Sequence, residues 1–134
     1  VGAMGVGLAS RALDEAVEYA KVRQQFGKPI ANLQAIQMII ADIAMQTEAA
    51  RQLVYHTAEL VDAKMPYSKY ASMSKCMGGD IAMKVSIDAL QVLGGFGYMK
   101  EYPLEKLVRD AKILQIYEGT NQIQRMIIAG EVLR

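Results

Sequence analysis

Metal and disulfide chemistry are both short of residues in this sequence. Its one cysteine, Cys76, excludes an intrachain disulfide framework, and one histidine, His56, beside it leaves too few ligands for a zinc site. Neither sign of charge is in excess. Fifteen basic residues against 14 acidic ones give a formal net charge of +1, so no basic surplus tracks a phosphate backbone and nucleic acid is not an expected partner. Charges interrupt the apolar runs well before the roughly twenty residues that a membrane span needs. The small apolar residues 1–10 lack the basic start of a secretory signal. There is no initiator methionine, and the expectation is a piece of something longer. What the 134 residues do have is a globular balance, 52% hydrophobic and 22% charged, in a length that suits one domain.

Three prolines and three glycine clusters divide the chain. Over residues 6–26 the apolar positions Val6, Ala9, Leu13, Ala16 and Ala20 recur at helical spacing, and Gly27 and Pro29 are expected to stop this helix. A second helix is expected from Asn32, as N-cap, to about Lys64, with Leu33, Ile36, Ile40, Ile43, Thr47, Ala50 and Val54 along its stripe. After Pro66 a third carries Tyr70, Met73, Met77, Ile81, Val85, Ala89 and Val92, and Gly94, Gly95 and Gly97 end it. Pro103 opens a short helix to about Lys112. A last helix over 120–133 is expected to face Ile123, Met126, Ile127 and Leu133 inward. No segment alternates like a strand; residues 113–117 are too short and partnerless. The expected fold is all-α, an antiparallel bundle of three long helices, about 20 to 33 residues each, and two shorter ones. The methionines are expected to fill the core, and His56 to be structural.

Three loops carry candidate chemistry. In Arg23-Gln24-Gln25-Phe26-Gly27-Lys28, cations near a helix C-terminus suit the dipole, and an arginine with amides also suits a phosphate-bearing ligand. Gln91 to Tyr98 holds three glycines in four positions, which lets a backbone approach a ligand or simply stops a helix. It is not a dinucleotide fingerprint, because no strand precedes it. In Ile116-Tyr117-Glu118-Gly119-Thr120-Asn121-Gln122 a carboxylate follows an apolar stretch and precedes a helix N-terminus. Helix-start chemistry explains that pattern, and so does a general base that Gly119 allows to point outward.

In this order and spacing the three loops resemble the acyl-CoA dehydrogenases. The likeness to their C-terminal helical domain runs essentially end to end. It opens on Gly7-Leu8-Ala9, Arg11-Ala12-Leu13-Asp14-Glu15-Ala16 and Arg23-Gln24-Gln25-Phe26-Gly27, then Leu33-Gln34-Ala35-Ile36. It continues through Gly79-Asp80-Ile81-Ala82, Gln91-Val92-Leu93-Gly94-Gly95-Phe96-Gly97-Tyr98, Tyr102-Pro103, Arg109-Asp110-Ala111-Lys112 and Ile116-Tyr117-Glu118-Gly119-Thr120.

The resemblance implies FAD-dependent α,β-dehydrogenation of a fatty acyl-CoA to a trans-2-enoyl-CoA. Glu118 matches the family's catalytic base, and its backbone N–H would help hold the thioester carbonyl. Tyr117, Glu118 and Gly119 would contact substrate. Arg23, Gln24 and Gln25, with Phe26 packing beside them, match flavin-binding positions, as do Gln34, Gln91, Gly94, Gly95, Thr120 and Gln122. The Arg23 and Gln91 regions would reach the flavin of a neighbouring subunit, in a homodimer or homotetramer. An electron-transfer flavoprotein is the implied electron acceptor. The implied compartment is the cytoplasm in a prokaryote and the mitochondrial matrix in a eukaryote. The same likeness implies that the N-terminal helical and middle β domains are absent, so residues 1–134 alone are expected to be inactive. Alternatives remain: an acyl-CoA oxidase or a decarboxylating relative with the same fold, or a purely structural oligomerisation bundle.

Overall fold

The computed structural model describes all 134 residues and is an antiparallel helical bundle. Helix α1 spans Gly2–Val22, α2 Gln34–Asp62, α3 Ser68–Leu93, α4 Leu104–Ile113 and α5 Asn121–Val132. The count of three long and two short helices agrees with the sequence pattern. No helix is long and apolar enough to cross a membrane.

Helix α1 stops at Val22, earlier than its apolar spacing suggests. Arg23 is extended, and a two-stranded hairpin follows, β1 (Gln24–Gln25) against β2 (Lys28–Pro29). The two residues at its tip, Phe26 and Gly27, have φ of 54° and 77°. Positive φ at both central residues matches the right-handed twist of a tight hairpin. Gly27 is therefore a turn residue and not a helix stop. Asn32 does not cap α2 either. It ends a short 3-10 turn, Ile30–Asn32, and Leu33 takes the cap position without a side-chain bond.

Helix α3 is the axis of the molecule and packs against all four others. Its contact with α1 is set by backbone. A Cβ on Gly78 would lie 2.7 Å from the Gly2 carbonyl oxygen and 2.9 Å from its Cα, and one on Gly2 would lie 2.7 Å from the Ser74 oxygen. Below that approach Ala9, Ala12, Ala16 and Ala20 of α1 are wholly buried against Val85, Ala89, Val92 and Leu93. Ile43 of α2 and Leu104 of α4 close the core.

So close a spacing leaves little room for long side chains, and the methionines are not core filler. Met4, Met38, Met45, Met65, Met77, Met99 and Met126 are all exposed, and Met73 and Met83 are only half-buried. Ser72, Ser74, Lys75, Cys76, Gly78 and Gly79 line the buried face of the first half of α3, where Met77 was expected. Helix α5 is turned likewise. Asn121 is buried, with Gln124, Ile128 and Glu131 half-buried, while Ile123, Met126, Ile127 and Leu133 face outward.

The α3–α5 seam is polar. Asp80 accepts hydrogen bonds from Gln115 Nε2 (2.7 Å), Asn121 Nδ2 (2.8 Å) and Arg125. Burial opposes ionisation of Asp80, but these three donors and the Arg125 charge outweigh it and hold the carboxyl below its ordinary value. Burial pushes the Cys76 thiol beside it up and lowers the affinity of the Lys75 amine for its proton.

Two outcomes follow for stability. Gly78→Ala should cost about 1–3 kcal/mol because two backbones must separate, whereas Gly7→Ala, with nothing within 4 Å of the new Cβ, should gain up to about 1 kcal/mol from helix propensity. Urea unfolding distinguishes them. The lowered carboxyl of Asp80 contributes stability that is complete above its unfolded value near 3.8 and lost as pH falls through the lower folded value. The melting temperatures of wild type and Asp80→Asn should therefore differ most near neutrality and converge below about pH 4.

Candidate active site

The candidate residues fall in two groups, one at the C-terminal end of α3 and one over its middle. At its C-terminal end a cleft of about 580 Å³ lies between the α1 exit, the 3-10 turn before α2 and the glycine loop. Arg23, Gln25, Gly94 and Gly95 line it together with Tyr19, Ile30, Ile36, Val92, Leu93, Phe96 and Met99. The Arg23 guanidinium stands over the Phe96 ring, 5.2 Å from its centroid, a cation–π contact that holds the charge at the rim. Phe96, Tyr19 and Tyr102 pack edge to face or tilted, with centroids 5.7 to 6.3 Å apart.

The glycines contribute space. Gly94 has a φ of 60°, its N–H is already taken by the carbonyls of Leu90 and Gln91, and a Cβ on Gly94 or Gly95 would meet nothing within 4 Å. The Gly94 N–H is thus not free for a ligand, and the charged and amide side chains of Arg23 and Gln25 line this end. A cation, an amide and an apolar aromatic wall fit one side of a planar, phosphate-bearing group.

Four other candidates lie outside the lining. Gln24 is exposed on the hairpin, Gln34 is the exposed first residue of α2, and Gln91 is exposed in the last turn of α3. Phe26 does not pack beside its neighbours as expected. It is 87% exposed at the hairpin tip, where the positive-φ turn projects it from the bundle.

Glu118, Gly119, Thr120 and Gln122 sit where α5 begins. The loop is built by close docking on α3: a Cβ on Gly79 would lie 2.9 Å from the Leu114 oxygen. After α4 the chain tightens through i to i−3 hydrogen bonds at Leu114, Gln115 and Ile116. Tyr117 packs half-buried on the Ala82, Ala111 and Leu114 cluster, and its hydroxyl is 3.5 Å from Met4 Sδ. Glu118 and Gly119 then have φ of 54° and 81°. A left-handed conformation at a non-glycine residue is unfavourable and needs support from its surroundings.

Support comes from both sides. The Asn121 N–H donates to the Gln115 oxygen (2.9 Å), Gln124 Nε2 donates to the Glu118 oxygen (3.2 Å), and Thr120 Oγ1 accepts from the Ile123 N–H as the helix cap. The outcome is an exposed carboxylate whose backbone N–H donates to no backbone carbonyl of the chain. Ile113 and Ile116, also exposed, supply the apolar flank.

Gly94, the residue just past α3, is fifteen positions beyond Gly79, about 22 Å at the helical rise. The glutamate loop and the arginine cleft are thus separate features of one chain. The sequence pattern missed the polar residues under the loop, buried Lys75 and Asn121 with half-buried Asp80 and Gln115, and the packing of Tyr19 and Tyr102 against Phe96. The signal for the first group was a lysine amid the small residues of the α3 stripe.

A family model described as "Acyl-CoA dehydrogenase, C-terminal domain" matches residues 1–133. An acyl-CoA dehydrogenase of Bacillus subtilis is 53% identical over 133 residues, which is 99% of this chain and 35% of that protein. Among solved structures, the butyryl-CoA dehydrogenase of Megasphaera elsdenii superposes with a TM-score of 0.97 at 47% identity, over 99% of this chain and 35% of its own. A chain in a structure described as the electron transferring flavoprotein of Acidaminococcus fermentans matches with a TM-score of 0.97 at 50% identity and the same coverage. The chain thus spans about a third of the length of the relatives it matches. It belongs to the acyl-CoA dehydrogenase family and corresponds to that family's C-terminal domain.

Proposed function

We propose that residues 1–134 serve as the C-terminal domain of an FAD-dependent acyl-CoA dehydrogenase, with Glu118 as the base that removes the α-proton of a fatty acyl-CoA thioester. The observation that carries this reading is the pairing at Glu118 of an exposed carboxylate with a backbone N–H that no carbonyl of the chain accepts. A thioester α-C–H is a weak acid. Its removal needs a positioned base together with a donor for the carbonyl oxygen, on which negative charge develops. One residue supplies both here, with Tyr117 and Gly119 flanking the thioester.

FAD, when bound, takes the β-hydrogen with its electron pair as hydride. The α-proton goes to Glu118, the C–H electron pair becomes the new C=C bond, and the product is the trans-2-enoyl-CoA. Arg23, Gln24, Gln25, Gln34, Gln91, Gly94 and Gly95 would hold one flavin, while Thr120 and Gln122 would contact another, on the Glu118 side. The separation of about 22 Å along α3 supports assigning the two groups to flavins of neighbouring subunits in a homodimer or homotetramer. The outward apolar face of α5 suits such an assembly. An electron-transfer flavoprotein is the proposed acceptor, supported by the described flavoprotein structure that this chain matches.

Within an enzyme that carries this domain, Glu118→Gln should lower kcat by about 10²- to 10⁴-fold and leave the bound-flavin spectrum intact. An unchanged rate would reject the base. Residues 1–134 alone offer one open wall at each site, so the purified chain should retain no stoichiometric flavin absorbance and form no enoyl-CoA. Turnover by the isolated chain would show that the domain is self-sufficient.

A further inference from the structure

Lys75 is 7% exposed. Its ammonium has a single side-chain acceptor, Asn121 Oδ1 at 2.8 Å, and it joins no ion pair. A buried cation without a carboxylate partner is costly, and an apolar side chain of similar volume commonly serves stability better. Stability alone is a weak account of Lys75, and the geometry around Asn121 supplies another.

The amide of Asn121 is bonded at both ends. Its oxygen accepts from Lys75, and its Nδ2 donates to the Cys76 oxygen (3.1 Å) and to Asp80 Oδ1 (2.8 Å). Lys75 can only donate, so it fixes which end of the amide faces it and which faces Asp80. Asp80 also accepts from Gln115 Nε2 at 2.7 Å, and the Asn121 N–H closes on the Gln115 oxygen at 2.9 Å. Gln115 and Asn121 are the two feet of the loop that carries Glu118. Both feet are tied to one carboxylate of α3 and to each other, and the apex is left to the strained residues Glu118 and Gly119.

We infer that Lys75, acting through Asn121 and Asp80, is a positioning residue that holds the Glu118 loop in the conformation needed for proton abstraction. This rests on the reading of Glu118 as the base. Lys75 need not touch substrate. It sets the orientation of one foot of the loop, and a shift of about 1 Å in a reacting group is enough to cost up to about 10²-fold in rate.

The test uses an enzyme that carries this domain together with the remainder of the family's length. Lys75→Met and Gln115→Ala are compared with Ile43→Ala, a core truncation remote from the loop, and with Glu118→Gln. The first two should lower kcat about 10- to 100-fold with KM and flavin content unchanged. They should also enlarge the kinetic isotope effect with α-deuterated acyl-CoA, because proton abstraction becomes more rate-limiting. Ile43→Ala should lose thermal stability and keep its kcat and isotope effect. Wild-type kcat in Lys75→Met and Gln115→Ala, beside an inactive Glu118→Gln, overturns the positioning role alone. An equal loss of kcat in Ile43→Ala also overturns it, since destabilisation anywhere would then suffice. An active Glu118→Gln removes the base reading and this inference with it. Gln115 is half-buried, so its variant decides the matter if Lys75→Met fails to fold.

Discussion

The backbone contact between α1 and α3 at Gly2, Gly5 and Gly78 governs the rest of the bundle. Without side chains at these positions the two helices approach until main-chain atoms touch. The alanines of α1 and the small residues of α3 then fill the seam, in keeping with a close-packed interior. Because α1 lies so near, α3 is enclosed along most of its length, and α2, α4 and α5 arrange themselves around it. The middle and the C-terminal end of α3 become fixed platforms. The aromatic cleft forms at its C-terminus, and the glutamate loop rests on Gly79 near its middle.

The same constraint explains why polar groups stand where a bundle usually places leucines. The first half of α3 buries Ser72, Ser74, Lys75 and Cys76, and each needs a partner inside the protein. The Thr57 and Ser74 hydroxyls lie 2.6 Å apart beside the Leu53 carbonyl, so that one donates to the other and the second donates to the carbonyl, while Lys75, Asp80 and Asn121 satisfy one another across the seam. Apolar packing slides with little penalty, but a hydrogen-bonded network has one arrangement. Helix α5 presents few apolar groups inward and is registered on α3 by Asn121 and Arg125. That register determines where the residue three positions earlier, Glu118, emerges.

Helix number, approximate boundaries and the three loops were legible in the sequence because proline, glycine and a 3.6-residue apolar period act locally. The family was legible because its motifs are ordered along the chain. Orientation was not. A stripe on α5 identifies an apolar face without saying what covers it, and Ile123, Met126 and Ile127 proved to face away from α3. The hairpin after Val22 was also hidden, since two residues per strand carry no periodicity and Gly27 serves a turn as readily as a helix end. The network beneath Glu118 was hidden for another reason. Lys75, Asp80 and Asn121 lie up to 46 positions apart, and nothing local marks them as partners.

Placing the apolar residues of α5 outside and the polar ones inside would be a poor design for a bundle that had to stand alone. Exposed apolar side chains include Met38 and Met45 of α2, Met4 of α1 and Ile123, Met126 and Ile127 of α5. Such faces favour association, and flexible methionine side chains adapt to whatever packs against them. The glutamate loop obeys the opposite logic. Its left-handed backbone at Glu118 costs on the order of 1–3 kcal/mol, and it persists because hydrogen bonds pin both of its feet. A loop pinned at both feet and an exterior of exposed, adaptable side chains are what the proposed role requires, in which Glu118 is the one chemical group the domain would bring to a shared site. Exposed methionines could adjust to whatever packs on them, while the carboxylate of Glu118 stays where α3 has fixed its loop.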